Sequence, residues 1–152
     1  DYILIDCPPS LGLLTVNALT AADYLLIPTM AETFAASGIT QLYDTYRSVK
    51  KYTNPDLQID GVLLTRTERT KVTRTIQELT EKIAEYMGAD VYRTTIRNNV
   101  IIKEAQAVQE NVFDYIESKA QTKGERVSEA SRNFVTDCLH FVKEFVEKER
   151  KQ

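Results

Sequence analysis

The stretch DYILIDCPPSLGLLTVNALTAADYLLIPT, residues 1–29, places two short apolar runs on either side of a helical segment. Tyr2 to Ile5 is too continuously apolar to alternate, so it reads as a strand buried on both faces, the kind found in parallel sheets. Asp6 falls where that strand emerges, and Pro8 and Pro9 cannot continue a ladder. A carboxylate at such an exit either caps the next turn or belongs to a site. Residues 13–22 suit a mostly buried helix, and residues 23–29 give a second apolar strand stopped by Pro28.

Downstream the alternation continues. Ser37-Gly38 leads into a helix over about 39–52, Asn54-Pro55-Asp56 is a loop signal, and LQIDGVLLT at 57–65 is a third strand. Residues 70–87 are amphipathic: Val72, Ile76, Leu79, Ile83 and Met87 fall three or four apart on one helical face, and Gly88 is a helix stop. ADVYRTTI at 89–96 reads as a fourth strand, followed by a helix from Asn99, a polar loop at 118–126 and a last helix over 127–149. Strands alternating with helices imply right-handed crossovers and an α/β fold, a parallel sheet of about four strands flanked by helices.

Length and composition fit one domain spanning residues 1–152. A net charge of −3 means that any nucleic-acid contact rests on a local basic patch. No apolar stretch approaches the length of a membrane span, so no membrane partner is expected. Cys7 and Cys138 lack metal-type spacing, and a single histidine, His140, excludes histidine-rich zinc sites.

In parallel sheets, ligands bind beyond the carboxyl ends of the strands. Four segments are expected to meet there: residues 6–10, 28–32, 65–67 and 96–99. A strand-end Asp suits a nucleotide's magnesium, because a hard cation takes carboxylate and water oxygens. RTERTKVTR at 66–74 gathers Arg66, Arg69, Lys71 and Arg74 against Glu68 alone, a patch that would hold phosphates without sequence preference. It also reads as an ordinary solvated loop and helix start.

The opening string resembles the Walker B segment, and the helix and strand after it, of the ParA/Soj family of deviant-Walker partition ATPases, relatives of MinD. The resemblance rests on the apolar strand, Asp6, Pro8-Pro9-Ser10, Leu11-Gly12 and the run Asn17 to Asp23. It continues through Glu32, Ser37-Gly38, Asn54 to Leu57, Gly61 to Thr65, Thr95 to Val100 and Glu104-Ala105. It implies a partial P-loop NTPase-type fold, with Asp6 acting catalytically and on magnesium through water. It also implies that Ile96–Asn99 lies against the adenine, with Asn98 and Asn99 as nucleotide contacts. Arg97 and Asn98 replace the family's Pro-Arg pair there, so only Asn99 matches directly. Arg69-Thr70 resembles the Arg-Thr pair of a family loop that is one residue longer.

None of the five glycines belongs to a Gly-Lys-Ser/Thr sequence, and the chain opens inside an expected strand without a methionine. The expectation is therefore a carboxyl-terminal portion lacking the amino-terminal P-loop unit, which by itself neither binds ATP tightly nor hydrolyses it. The resemblance further implies, for the parent, ATP and magnesium as cofactors, an ATP-dependent homodimer, non-specific DNA and a centromere-binding partition partner. It also implies a cytoplasmic, nucleoid-associated place in plasmid or chromosome segregation. The alternatives are a non-catalytic interaction module with the same fold, or a MinD-like regulator. In the last helix Phe134, Cys138, Phe141 and Phe145 form a stripe, but the polar face mixes both charge signs, so packing on the sheet is expected over a lipid surface.

Overall fold

Tyr24–Met30 (β1) and Gln58–Thr67 (β2) run side by side in parallel, with Tyr24 opposite Gln58 and Met30 opposite Thr65. The computed structural model describes residues 2–32, 35–68, 70–122 and 126–149. Between the two strands lies the helix Ala35–Tyr52 (α2), and Leu13–Ala21 (α1) precedes them. Lys71–Met87 (α3) leads from β2 to the two-residue strand Ile96–Arg97 (β3), giving the parallel order β1-β2-β3. Ile101–Ala107 (α4), Val112–Gln121 (α5) and Glu129–Glu149 (α6) follow.

The core forms because β2 is apolar on both faces: Val62 and Leu64 are wholly buried on one and Leu63 is buried on the other, and helices supply the cover that such a strand needs. Ile27, Ile39, Val62, Ala84 and Met87 join β1, α2, β2 and α3. Leu19, Tyr46, Val49 and Leu57 close the space between α1 and α2. Each buried Val, Leu, Ile or Met among them contributes about 1.5–3 kcal/mol through burial. The start of α3 is set by Thr70, whose hydroxyl accepts from the Thr73 N–H at 3.1 Å. Its end is set by Gly88 at φ 69°, where the Ala89 N–H donates to the Ala84 carbonyl at 2.9 Å.

The α/β class and parallel sheet stand as expected, with differences in detail. Residues 2–8 form no strand, and Ile3 and Leu4 are 92% and 86% exposed. No strand lies beside them among the described residues, so an extended segment there has no ladder partner and leaves its backbone groups to water. Asp6 therefore stands in an exposed, irregular segment and not at a strand exit. Among the described residues the sheet has three strands instead of about four, because Tyr2–Ile5 does not join it; the expected fourth strand, 89–96, is reduced to a single bridge, Val91 to Val62, and the short β3 at its end. Pro28 does not stop β1, which continues to Met30. β1 lies at the end of the strand order, where a missing N–H costs no ladder bond. Leu13 and Leu14 of α1 are exposed, and α5 extends to Gln121 into the expected loop.

One contact is unusually close. A Cβ on Gly61 would lie 2.9 Å from the Tyr92 ring and 3.1 Å from the Asp90 carbonyl oxygen. That ring packs edge-on against Phe141 of α6, and its hydroxyl donates to the buried Asp60 carboxylate. Lys148 of α6 reaches the same carboxylate at 3.6 Å, donates to the Asp60 carbonyl and sits 5.2 Å over the Tyr92 ring.

Candidate functional site

Three of the four segments expected at the carboxyl edge are stitched together. The Thr65 hydroxyl donates to the Thr29 carbonyl at 3.1 Å, and the Ala31 N–H donates to the Thr65 carbonyl at 3.3 Å. On the other side, the Asn98 N–H donates to the Thr67 carbonyl at 3.0 Å. The fourth segment is not tied in: no hydrogen bond or ion pair joins Asp6 to these groups among the described residues. The corner after it is fixed locally, the Thr15 hydroxyl donating to the Ser10 carbonyl at 2.7 Å. Tyr2 meets Phe145 of α6 at 5.4 Å between ring centres, which places the start of the segment beside the last helix.

Arg66 occupies a bulge between Thr65 and Thr67, at φ 51°. A non-glycine residue in that region costs about 1–2 kcal/mol, and bulges at strand ends re-aim side chains. Here the guanidinium turns towards the tip of β1, 3.3 Å from the Met30 sulfur and 4.0 Å from the Glu32 carboxylate. Arg66 is thereby drawn over the sheet edge. Lys71 and Arg74 stand exposed on the first turn of α3, and neither meets a carboxylate within ion-pair distance among the described residues. They share a face by their three-residue spacing. Arg69 lies outside the described residues.

Asn98 and Asn99 both hold the loop together. The Asn98 side-chain amide donates to Glu68 at 3.2 Å, and the Asn99 side-chain oxygen accepts the Ile101 N–H at 2.9 Å, at the start of α4. Arg97, the last residue of β3, is locked to α6. Its Nε and Nη2 donate to the two oxygens of Asp137 at 2.6 and 2.8 Å, and its backbone N–H donates to Asp137 at 3.3 Å. Donating to Asp137 raises the Arg97 guanidinium pKa still further, against a smaller opposing effect of burial. Two turns along the same helix, Glu144 accepts the N–H groups of Arg93 and Thr94 at 2.8 and 2.9 Å. The carboxylates of α6 thus take donors that a neighbouring strand would otherwise accept.

Sequence reasoning missed Asp137. Its signal was an acid three residues after Phe134 and four before Phe141, inside the apolar stripe of the last helix. In the structure Asp137 and Phe134 are buried while Leu139 and Val142 are exposed, so the stripe packs inward as expected. An open depression of about 350 Å³, bordered by Lys50, Asp56 and Gln58, lies at the opposite end of β2, away from these groups. Among the described residues, no helix is long and apolar enough to cross a membrane.

The family model described as an AAA domain matches residues 1–59. The sporulation initiation inhibitor protein Soj of Bacillus subtilis is 50% identical over 105 residues, which are 69% of this chain and 41% of that protein. The chromosome partitioning protein ParA of Myxococcus xanthus is 41% identical over 121 residues, 78% of this chain and 42% of that one. The chain therefore spans less than half the length of these curated relatives. Among solved structures, cobyrinic acid a,c-diamide synthase from Mycobacterium smegmatis with bound ATP analog and magnesium superposes with a TM-score of 0.54 at 38% identity. That match covers 62% of this chain and 37% of that one.

Proposed function

The chain belongs to the ParA/Soj family, and from that premise we propose that it supplies the carboxyl-terminal portion of an ATPase that partitions chromosomes or plasmids. The observation that carries this reading is the 50% identity to Soj over 105 residues. The stitched carboxyl edge, where parallel sheets take ligands, is consistent with it.

In this reading Asp6 acts on magnesium through water and helps to orient the attacking water. Among the described residues no group of three His, Cys, Asp or Glu is assembled to hold a metal. A single carboxylate, with water and phosphate oxygens completing the shell, is a donor set that suits magnesium. Bound magnesium would neutralise charge developing on the transferred phosphoryl group. Ile96–Asn99 lies against the adenine, with Asn98 and Asn99 as contacts. The phosphates need a glycine-rich loop with its lysine, which the 152 residues do not contain, so they neither bind ATP tightly nor turn it over by themselves.

Arg66, Arg69, Lys71 and Arg74 hold DNA phosphates without sequence preference, and the exposure of Lys71 and Arg74 supports this. The whole protein works as an ATP-dependent homodimer on nucleoid DNA in the cytoplasm, together with a centromere-bound partner. The packing of the α6 stripe against the sheet argues against a membrane-binding role for that helix.

The experiment is Asp6→Asn in the full-length protein, with ATP hydrolysis and DNA retention measured side by side. Hydrolysis is expected to fall to background. Undiminished turnover would remove Asp6 from the mechanism, and a wild-type protein without nucleotide binding would overturn the reading as a whole.

A further inference from the structure

We propose that Asp137 is a positioning residue for the nucleotide base, fixing from α6 the loop that carries Asn98 and Asn99. The inference rests on the reading of that loop as the base contact given above.

Three donors of Arg97 converge on the one carboxylate: the backbone N–H at 3.3 Å, Nε at 2.6 Å and Nη2 at 2.8 Å. Two of them form the parallel fork that makes Arg–carboxylate pairs directional as well as strong. Because the backbone N–H joins the fork, the pair fixes main chain and side chain of residue 97 together. The next residue inherits that constraint. Asn98 keeps its N–H on the Thr67 carbonyl at 3.0 Å and its amide on Glu68 at 3.2 Å only if the chain leaves Arg97 in this direction.

The placement of the acid also calls for an explanation. Asp137 is 7% exposed, in line with Phe134 and Phe141. An acid in such a stripe is destabilising unless it is paired, and an apolar residue there would serve packing at least as well. What the acid adds is direction at residue 97.

The helix carries its own control. Glu144 is also a carboxylate of α6 that accepts backbone N–H groups, but from Arg93 and Thr94, upstream of the loop. If α6 carboxylates served stability alone, the two would be interchangeable in their effects. A positioning role predicts that they separate.

The test uses the full-length protein and fluorescent ATP and GTP analogues with unmodified bases, in the presence of magnesium. Asp137→Asn is expected to weaken ATP binding about tenfold, the loss typical of a charge-assisted hydrogen-bond pair, and to narrow the preference for ATP over GTP. Glu144→Gln is expected to leave both affinities within about twofold. The exchange Arg97→Asp with Asp137→Arg is expected to recover part of the ATP preference. Should Asp137→Asn fail to fold, Asp137→Glu, which keeps the charge one methylene further out, is expected to give a smaller loss in the same direction. Equal effects of Asp137→Asn and Glu144→Gln, or an unchanged ATP/GTP ratio in the Asp137 variants, would overturn the proposal. A wild-type protein that binds neither nucleotide would instead sink the functional reading beneath it.

Discussion

Replacing Lys148 by Met removes a charge from α6 while keeping most of its aliphatic stem. The carboxylate it faces, Asp60, is 2% exposed, and among the described residues its Oδ1 has no hydrogen-bond partner, only the ammonium at 3.6 Å. At that separation and an effective dielectric constant of about 20, the attraction is about 4.6 kcal/mol. Asp90, 3.9 Å from the same ammonium, is largely solvated and adds little. Lys148 itself is a quarter exposed, which lowers both its desolvation cost and the strength of the pair. Breaking a fully buried pair typically costs 3–5 kcal/mol, so about 2–3 kcal/mol is expected here. The chain has no tryptophan, so urea unfolding is best followed by far-UV circular dichroism. The double variant Asp60→Asn with Lys148→Met keeps an acceptor for the Tyr92 hydroxyl and is expected to recover at least about 1 kcal/mol over Lys148→Met. A Lys148→Met protein within about 0.5 kcal/mol of wild type, or a double variant no more stable than the single, would refute this account of the pair.

Two further outcomes follow from local geometry. Gly88→Ala meets no atom within 4 Å of the new Cβ, so its cost is backbone strain alone at φ 69°. About 1 kcal/mol and a midpoint lowered by about 2–4 °C are expected in a thermal scan, and an unchanged midpoint would contradict the assigned helix stop. For Glu144, burial pushes the carboxyl up, but the hydrogen bonds from Thr94 and Arg93 outweigh it and hold the carboxyl below the ordinary glutamate range. Its contribution is therefore complete above the unfolded value, about 4.3, and is lost as pH falls through the lower folded value. Glu144→Gln should show a shallower loss of stability than wild type from about pH 5 downward, and parallel curves would exclude that role.

The elements that sequence reading found were those whose signals are local. The apolar spacing up to Met87 and Gly88 after it mark α3 without reference to anything else in the chain, although Val72 and Leu79 of the expected face are exposed and Thr80 and Ala84 are buried in their place. The apolar runs of β1 and β2 were equally plain: β2 is buried continuously over 60–64 and has no polar side to confuse the pattern, and β1 keeps an apolar run although Tyr24, Pro28 and Met30 are exposed. Tyr2–Ile5 has the same pattern and no strand forms, since a ladder needs a second strand and periodicity says nothing about whether one is present. The 89–96 segment failed for a related reason. Glu144 takes its N–H groups at 93 and 94 from about fifty residues away in sequence, and Asp137 does the same at 97. At the site, strand ends were legible from the apolar runs that precede them. The turn of Arg66 towards Met30 and Glu32 depends on a left-handed residue that nothing in the sequence marks.

The near-contact between Gly61 and the Tyr92 ring makes the histories of these two positions interdependent. A methyl group at 61 becomes tolerable only after the ring at 92 has shrunk or swung away, and losing the ring also strips Asp60 of its hydroxyl donor. Substitutions at 60, 61 and 92 are therefore acceptable in some orders and not in others. Descendants of this sequence should change the three as a block or leave them alone.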